Sequence, residues 1–288
     1  MAGEPSDDEI LSAIEKSGYL LEQEVASELE TFDYHVETNV PFLDKDEGKS
    51  REIDVTAFRR IFQDETKQIT ASIELIIECK NSANPLVFIG RRKNGADPLR
   101  APRGYVFPRS YQMQKPVGTA LATRSVSGFF HLGFAERHYA YRDGLKVVQF
   151  CRIDRSGGSW SANHGGLYDS VFFPLAKAVD ARIEAVPKSL ENGWKHLSII
   201  IPVVVTTSRL FLIDGTRTGG SLVPRDYVSF SRELRSSNIN GRYRVDFVNR
   251  SSLSAFITNC ILPLEQNALA LASSNLPLLL NPTVEWSD

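Results

Sequence analysis

An apolar run in the first third of the chain ends in charged residues. Residues 72–81 begin with aliphatic and β-branched side chains and end with Glu78, Cys79, Lys80 and Asn81. Because the side chains of a strand alternate between its two faces, Glu78 and Lys80 point the same way while Cys79 packs on the other face. A carboxylate and an ammonium are a costly ending for a buried strand. A carboxylate can bind a hard divalent cation, and an ammonium can orient a water molecule or neutralise negative charge.

A second carboxylate is predicted to face this strand end. Residues 51–58 have the pattern of another strand, and the polar residues 63–68 have that of a connecting turn. Facing residues of an antiparallel hairpin have a constant index sum. For Asp54 and Glu78 this sum is 132, and its midpoint, Thr66, lies inside the predicted turn. We therefore expect the two acids to be near neighbours.

The segment before these strands is predicted to form a helix with an acidic face. Residues 18–29 place apolar side chains at helical spacing and also contain Glu22 and Glu24. Such a helix could bring a third carboxylate to Asp54 and Glu78.

A helical Glu, a strand Asp and a strand that ends in Glu-x-Lys resemble the restriction-endonuclease-like PD-(D/E)xK nuclease superfamily. Glu22, Asp54, Glu78 and Lys80 stand at the matching positions. The resemblance covers residues 15–81 well and residues 168–215 loosely. One departure is that Ile53, rather than proline, precedes Asp54.

The resemblance implies a role for each matching residue. Asp54, Glu78 and the backbone carbonyl of Cys79 would bind Mg²⁺, for which Mn²⁺ would substitute, and the metal would activate water and stabilise the leaving group. Lys80 would orient or deprotonate the attacking water. Glu22 would complete the site through a water or bind a second metal, with Glu24 as its competitor for this role.

Simpler interpretations of the same residues remain open. Glu78 and Lys80 could form an exposed ion pair, which contributes little to stability. Asp54 could be a surface acid near a turn. Glu52 and Glu74 are expected to face solvent.

Charge is distributed unevenly along the 288 residues, although the net charge is only −2. Residues 1–80 hold 20 acidic and 8 basic residues, residues 81–155 hold 4 and 13, and the remainder holds 11 and 12. Within the basic part, residues 81–109 mix cations with aromatic side chains, which suits a nucleic-acid backbone and exposed bases. The predicted nucleic-acid-binding residues are Arg91, Arg92, Lys93, Arg100, Arg103 and Arg109. The alternative is an irregular solvated loop that covers a sheet edge.

The predicted fold class is mixed α/β, with a central mixed β-sheet flanked by helices as in restriction-endonuclease-like cores. One domain would span residues 1–288, with its core in 10–80 and 168–215, a long basic insertion in 81–167 and a C-terminal extension in 216–288. The insertion begins as a loop over 81–109. Further elements are predicted as strands at 34–43, 129–140, 145–153, 197–206 and 210–214, helices at 8–17, 171–183 and 251–271, a glycine-rich link at 157–166, a basic loop at 215–244 and an edge strand at 245–248.

Other chemistry is less well supported. The three cysteines lack CxxC spacing and favour a reducing, cytoplasmic setting. The five histidines show no metal-ligand spacing, and Trp160, Trp194 and Trp286 are interpreted as packing anchors. The N-terminus has no apolar signal segment, and the most apolar span, residues 197–213, is interrupted by polar residues, so no membrane association is expected.

The leading functional hypothesis is a Mg²⁺-dependent endonuclease that hydrolyses phosphodiester bonds in DNA, in restriction, defence or repair, with RNA not excluded. The alternative is a catalytically silent nucleic-acid-binding module or subunit that uses the nuclease fold. The resemblance also implies a homodimer or a larger defence complex.

Overall fold

The fold is mixed α/β, and its strands are arranged in several sheets. The computed structural model describes residues 4–97, 100–117, 120–142, 144–187, 193–216 and 219–284. In chain order the first elements are α1 (Asp7–Ser17), α2 (Tyr19–Glu30), β1 (His35–Asp44), β2 (Lys49–Asp64), β3 (Ile69–Lys80), β4 (Leu86–Arg92), β5 (Tyr105–Val106), β6 (Tyr111–Val117), β7 (Ala120–Val126), α3 (Gly128–His131), α4 (Phe134–Arg137), α5 (Tyr139–Arg142), β8 (Leu145–Ser156) and β9 (Ser159–Asn163). The remaining ones are α6 (Phe173–Ala185, preceded by a π-turn at Tyr168–Phe172), β10 (Lys195–Thr206), β11 (Leu210–Asp214), β12 (Val223–Arg225), β13 (Tyr227–Arg235), β14 (Asn240–Asn249), α7 (Leu253–Phe256), α8 (Leu262–Ser273), α9 (Leu276–Leu280) and β15 (Thr283–Val284).

The N-terminal helix pair forms where the sequence predicts it. Ser6 and Glu9 form a capping box at the start of α1. Gly18 then ends α1 and begins α2 with φ of +91°, a backbone conformation that glycine adopts without steric cost. The predicted break at Gly18 is therefore confirmed.

The predicted three-strand meander is also confirmed, including its register. Strands β1, β2 and β3 pair in antiparallel order. Val55 pairs with Ile77 and Ala57 pairs with Leu75, so the index sum is 132 as predicted. A bulge between Arg60 and Phe62 shifts the register only at the end away from Asp54.

The main sheet has the strand order β1-β2-β3-β10-β14-β13, and β5 pairs with β10. Strand β10 is parallel to both β3 and β14 and is buried along most of its length, which explains its nearly continuous apolar sequence. The predicted basic loop at 215–244 is wrong, because it contains β12, β13 and the start of β14. The predicted edge strand at 245–248 is also wrong in its position, since β14 lies between β10 and β13. Arginines and serines on the polar face of β13 hide its alternation with the buried Val228 and Phe230.

A second sheet has the order β12-β11-β4-β8-β9. Strand β4 pairs with β11 of the predicted core, so residues from 81–167 share a sheet with residues 210–214. The predicted loop at 81–109 contains β4 and β5, and the predicted link at 157–166 contains β9. The predicted strand at 129–140 is wrong because α3, α4 and α5 occupy it; Gly133, with φ of +74°, separates the first two. Strands β15, β6 and β7 form a third small sheet.

Both faces of the main sheet are covered. Helices α2 and α8 pack on the face that carries Leu75, Ile77 and Cys79. Helix α6 and the second sheet pack on the opposite face, which carries Ile76 and Val204. The face that Cys79 occupies agrees with the alternation predicted from the sequence.

The chain passes from the main sheet to the second sheet at two neighbouring places, from β3 to β4 and from β10 to β11. Lys80 at the end of β3 pairs with Thr206 at the end of β10, and Leu86 at the start of β4 pairs with Leu210 at the start of β11. The two connections are tied together, since Ser82 N donates to Thr207 Oγ1 at 2.9 Å and Ser208 Oγ donates to the Ser82 carbonyl at 3.0 Å.

The predicted helix at 251–271 is confirmed in outline as α7, a short π-helix at Ile257–Ile261 and α8. Pro263 is the second residue of α8, which directly follows the π-helix, and the hydrogen-bond spacing of this helical run changes there. The C-terminal tail packs through α9 and β15, and Trp286, interpreted above as a packing anchor, lies outside the described residues. Among the described helices, none has the length and apolar character needed to cross a membrane.

Candidate active site at the end of the Glu-x-Lys strand

Asp54 lies directly beside the end of β3. Its Oδ2 accepts a hydrogen bond from the Cys79 backbone N–H at 2.7 Å. The ladder between β2 and β3 ends at Val55 and Ile77, so the next amide of β3 that faces β2 meets a side chain instead of a backbone carbonyl. The predicted proximity of Asp54 to the Glu-x-Lys segment follows from this register.

The backbone carbonyl and the side chain of Cys79 point to different surroundings. The N–H and C=O of one strand residue point to the same side, so the Cys79 carbonyl faces β2 and Asp54 together with its N–H. The Lys80 carbonyl faces β10 instead, where it accepts from Thr206 Oγ1 at 2.9 Å and from Thr207 N at 3.3 Å. The Cys79 side chain is buried against the α2 side of the sheet, and burial together with the Asp54 charge raises the pKa of its thiol. Cys79 can therefore contribute its carbonyl oxygen, and its side chain packs.

Glu78 and Lys80 contact each other on the face opposite Cys79. The Glu78 side chain is 12% exposed and that of Lys80 is 39% exposed, so the pair is not a freely solvated surface ion pair. Burial, and then the negative charge of Asp54, raises the pKa of Glu78 to about 7 despite the opposing effect of Lys80. Burial also raises the pKa of Asp54, against the hydrogen bond from Cys79 N and the charge of Lys80. Burial alone would lower the pKa of Lys80, but Glu78 and Asp54 raise it, so the ammonium form is favoured.

Glu22 is closer to this group than its competitor Glu24. Asn81 Nδ2 donates to the Glu15 carbonyl of α1 at 2.5 Å, which ties the helix pair to the residue after Lys80. Glu22 is in the first turn of α2, and burial, followed by the charge of Asp54, raises its pKa. Glu24 instead forms an ion pair with Arg250 at 3.4 Å and is largely exposed. Of the two acids left open by the sequence, the structure brings Glu22 to the strand ends.

The donor set fits a hard divalent cation in its chemistry. Burial raises the pKa values of the carboxyl groups of Glu22, Asp54 and Glu78, and the charge of Asp54 raises those of Glu22 and Glu78 further, so a cation would relieve this repulsion. Carboxylate and carbonyl oxygens are the ligands that Mg²⁺ accepts in proteins. Within the described residues, no three His, Cys, Asp or Glu side chains are arranged so that they could hold a metal ion.

The predicted nucleic-acid-binding cations do not lie together at this site. Arg91 and Arg92 end β4, and six residues of strand, about 20 Å, separate Arg92 from Leu86 near the site. Arg92 forms an ion pair with Asp214 at 3.7 Å, and Lys93 Nζ donates to the Ala140 carbonyl at 3.3 Å.

The other predicted cations also have structural neighbours or lie apart. Arg100 pairs with Glu233 at 3.8 Å, and Arg109 is exposed before β6. Arg103 pairs with Asp180 at 2.5 Å and stacks on the Tyr243 ring, so it holds α6 against β14. Although these predicted cations lie close to Lys80 in the sequence, they do not form one cationic surface in the structure.

Two further predictions are wrong, and two residues near Lys80 were not predicted. Glu74 is buried and forms an ion pair with Arg182 of α6 at 2.6 Å, so it does not face solvent, whereas Glu52 is exposed as expected. Trp160 is 64% exposed on β9 and is not a packing anchor. The sequence reasoning also missed Thr206 and Thr207, which hold the Lys80 carbonyl; their signal is a pair of hydroxyl residues directly after the buried strand parallel to β3.

A second acid–lysine cluster, which we call the Asp44 cluster, lies at the turn between β1 and β2. Asp44 is fully buried, and its carboxylate accepts from Lys177 Nζ at 2.7 Å and from Arg51 Nε at 2.6 Å. The backbone N–H groups of Asp46 and Glu47 donate to its other oxygen. Burial alone would raise the pKa of Asp44, but these hydrogen bonds outweigh it and lower the pKa to about 2.

Comparisons with known proteins give no further assignment: no protein-family model matches this chain, and neither a curated protein nor a solved structure matches it.

Proposed function

We propose that this chain is a Mg²⁺-dependent endonuclease that hydrolyses phosphodiester bonds in DNA, and that its main sheet is a restriction-endonuclease-like core. The observation that carries the proposal is the hydrogen bond from Cys79 N to Asp54 Oδ2 at 2.7 Å, with Glu78 and Lys80 on either side of Cys79. It joins the two strands on which the resemblance depends, in the register expected from the sequence.

The order of elements supports the proposed core. An acidic helix, an antiparallel meander, helix α6 and the parallel strand β10 follow one another, and β10 pairs with β3. The candidate residues Glu22, Asp54, Glu78 and Lys80 come from one helix and two adjacent strands of this unit.

The residues present have complementary tasks in such a reaction. Asp54, Glu78 and the Cys79 carbonyl would hold the divalent cation, which when bound supplies an activated water and charge stabilisation at the phosphoryl group. Lys80 carries a positive charge on the same face as Glu78 and would orient the attacking water and stabilise the negative charge that develops on the phosphoryl oxygens. Glu22 would bind a water of the cation's shell from the helix side.

A cleavage assay tests the proposal. Supercoiled plasmid and labelled single-stranded DNA are incubated with the protein in Mg²⁺, in Mn²⁺ and in EDTA. We expect nicking that needs a divalent cation and that Asp54→Ala and Lys80→Ala abolish, while Glu24→Gln, the matched acid on the same helix, cuts like the parent.

The proposal fails if neither metal supports nicking, or if Asp54→Ala and Lys80→Ala cut as well as the parent. Binding of DNA without any turnover would instead support a catalytically silent nucleic-acid-binding module. RNA of the same sequence, used as a parallel substrate, distinguishes a deoxyribonuclease from a ribonuclease.

A further inference from the structure

An open cavity of about 480 Å³ lies at the same edge of the main sheet as the candidate active site, and it combines cationic and aromatic walls. We call it the Arg142–Arg225 pocket. Its lining includes Tyr139 and Arg142 of α5, Arg225 at the end of β12, Tyr227 at the start of β13, and Asn259 before α8. Its volume is in the range of sites that bind small ligands or parts of larger ones.

The pocket has cations available for an anionic ligand. Arg225 is exposed, and among the described residues no hydrogen bond or ion pair holds its guanidinium group. Arg142 is also exposed, and its Nη2 donates to the Arg137 carbonyl at 3.2 Å. Among the described lining residues the one acid is Asp226, and its Oδ1 accepts from Ser252 Oγ at 3.2 Å. Two guanidinium groups therefore face one carboxylate that already has a hydrogen-bond donor.

The aromatic walls are fixed from behind. The Tyr139 hydroxyl donates to Asp246, which is buried and also accepts from Ser229. The Tyr139 ring packs edge-on against Phe256 at 5.5 Å and against Tyr227 at 6.0 Å between centroids. A ligand would therefore meet walls that need little reorganisation, which lowers the entropic cost of binding.

Strand register places the pocket at a definite distance from the candidate active site. Lys80 of β3 pairs with Thr206 of β10, Thr206 pairs with Asn249 of β14, and Tyr227 of β13 pairs with Val248 next to Asn249. Three steps between neighbouring strands, each about 4.8 Å, separate the backbones of Lys80 and Tyr227 by about 14 Å along this edge, and the pocket lies on the α8 face of the sheet, opposite the Lys80 side chain. The residues between, at 206–209 and 249, carry hydroxyl, amide and guanidinium groups and include no acid.

This distance is too long for the pocket to act on the bond that Lys80 and Asp54 would break, yet it is short enough for one polymer to span both places. Paired arginines favour phosphate oxygens because the guanidinium group donates two parallel hydrogen bonds. Tyr139 is buried and shapes the pocket from behind, whereas the half-buried Tyr227 presents part of its ring, on which a base or sugar can stack without sequence preference. The combination matches a nucleotide unit better than it matches an isolated inorganic anion.

We propose that the Arg142–Arg225 pocket binds a phosphodiester group of the substrate strand outside the scissile position, and thereby holds that strand across the ends of β3, β10 and β14. The identification of the ligand as nucleic acid rests on the proposed function. The two arginines are positioning residues, which anchor the strand and do not touch the reacting atoms.

Binding measurements in a cleavage-inactive background test the pocket. A fluorescein-labelled single-stranded DNA is titrated with the full-length Asp54→Asn protein, and the titration is repeated with Arg142→Gln, Arg225→Gln and both changes added. We expect affinity to fall roughly tenfold per arginine, as for the removal of one charge-assisted hydrogen bond. The slope of log affinity against log salt should shrink by about 0.7 for each phosphate that is no longer neutralised.

Arg235→Gln is the matched control, because Arg235 is an exposed arginine at the other end of β13. It should leave both affinity and slope unchanged. Arg225→Glu is a second variant, and reversal of the charge should weaken binding more than its removal does. Unchanged thermal unfolding midpoints would show that these exposed substitutions leave the fold intact.

The outcomes separate this inference from the proposed function. If the double variant binds DNA as tightly as its Asp54→Asn parent, or loses no more affinity than Arg235→Gln, the pocket proposal is overturned even where the parent protein cuts DNA. If binding depends on both arginines while the parent protein cuts nothing, the pocket stands and the endonuclease proposal fails. Binding of inorganic phosphate without binding of the oligonucleotide would overturn the polymer assignment.

Discussion

Two acid–lysine groups of similar composition have opposite electrostatics. In the Asp44 cluster, Lys177, Arg51 and two backbone N–H groups satisfy one buried carboxylate and lower its pKa to about 2. At the end of β3, Lys80 contacts Glu78 and is also attracted by the charge of Asp54, and burial together with the charges of Asp54 and Glu22 raises the pKa of Glu78 to about 7. In the first group four donors surround the buried Asp44, and the more exposed Asp46 and Glu47 share its cations. In the second group a single lysine lies among several acids.

The difference separates a stabilising cluster from a candidate reactive one. A carboxylate with a lowered pKa contributes stability at neutral pH, whereas carboxylates with raised pKa values are held together against their own repulsion. Perturbed carboxylates that share a site are candidates for catalysis, because a structural role alone would favour satisfied charges. The same residue types therefore give different functional expectations, which depend on the ratio of donors to acids.

The largest expected difference is in cleavage rate. Lys80→Met should lower the rate of DNA cleavage by roughly 10²- to 10⁴-fold, since it removes a group that orients water and stabilises charge. Unfolding free energy should change by about 1 kcal/mol or less at pH 6, because Glu78 can take up a proton. Urea unfolding and a plasmid-nicking assay on the same preparation measure both. A large loss of stability with normal cutting would make Lys80 a structural residue.

The reciprocal change in the Asp44 cluster should affect stability. Lys177→Met leaves the buried Asp44 carboxylate with fewer donors, and we expect unfolding free energy to fall by about 3 kcal/mol while cleavage persists below the unfolding transition. The matched control is Lys45→Met, because Lys45 pairs with Glu184 on the surface and should contribute less than about 1 kcal/mol. Equal effects of the two substitutions in urea unfolding would contradict a stabilising role for the Asp44 cluster.

The pH dependence of stability should run in opposite directions for the two groups. The raised pKa of Glu78 means that the folded state binds a proton more readily than the unfolded state, so the Glu78 contribution is present below about pH 4.5 and is lost as pH rises through about 7. In EDTA, Glu78→Gln should remove a decline on the order of 2 kcal/mol between pH 5 and 8. Urea titrations of parent and variant across this range measure the decline, and an unchanged pH profile in the variant would rule out a raised pKa.

Asp44 should show the opposite sign. Its lowered pKa stabilises the fold above about pH 3.8, and this contribution is lost as pH falls towards about 2. The stability gap between the parent and Asp44→Asn should therefore narrow by on the order of 1 kcal/mol from pH 5 to pH 3. A gap that stays constant over this interval, measured by thermal or urea unfolding, would show that the Asp44 pKa is ordinary.

The smallest expected effects distinguish the two acids of α2. Glu22→Gln should reduce cleavage about tenfold, as for the removal of one charge-assisted hydrogen bond near the cation. Glu24→Gln should alter neither cleavage nor unfolding free energy by more than about 0.5 kcal/mol, because its ion pair with Arg250 is largely exposed. Initial rates at subsaturating Mg²⁺ give the most sensitive comparison, and a stronger effect of Glu24→Gln would reverse the assignment.

Local patterns predicted the candidate active site because its parts lie within one contiguous segment. Apolar runs and a polar turn determine the hairpin of β2 and β3, and a constant index sum then places Asp54 beside the end of β3. The resemblance favours Glu22 over Glu24, and the structure adds that Glu24 pairs with Arg250, which is more than 220 residues away in the chain. No periodicity within α2 contains that information.

Long-range pairing accounts for most of what the sequence did not predict. Strand β4 is stabilised by β11, and the two are separated by more than 110 residues, so Leu86–Arg92 looked like part of an irregular loop. Arg103 looked available for nucleic acid because its partner, Asp180, is in a distant helix. The aromatic residues at 129–140 favour a strand by propensity, but three short helices form there around Gly133.

The two neighbouring connections, from β3 to β4 and from β10 to β11, limit how the candidate site can change during evolution. Lys80 stands where both strands leave one layer for the next, and hydrogen bonds lock the two departing segments to each other. The position of Lys80 therefore depends on the packing of both sheets, and a change in a single surface loop does not shift it. We therefore expect inserted or deleted residues to be tolerated better in the turns of the outer hairpins, β6–β7 and β8–β9, than in the connections that follow Lys80 and Thr206.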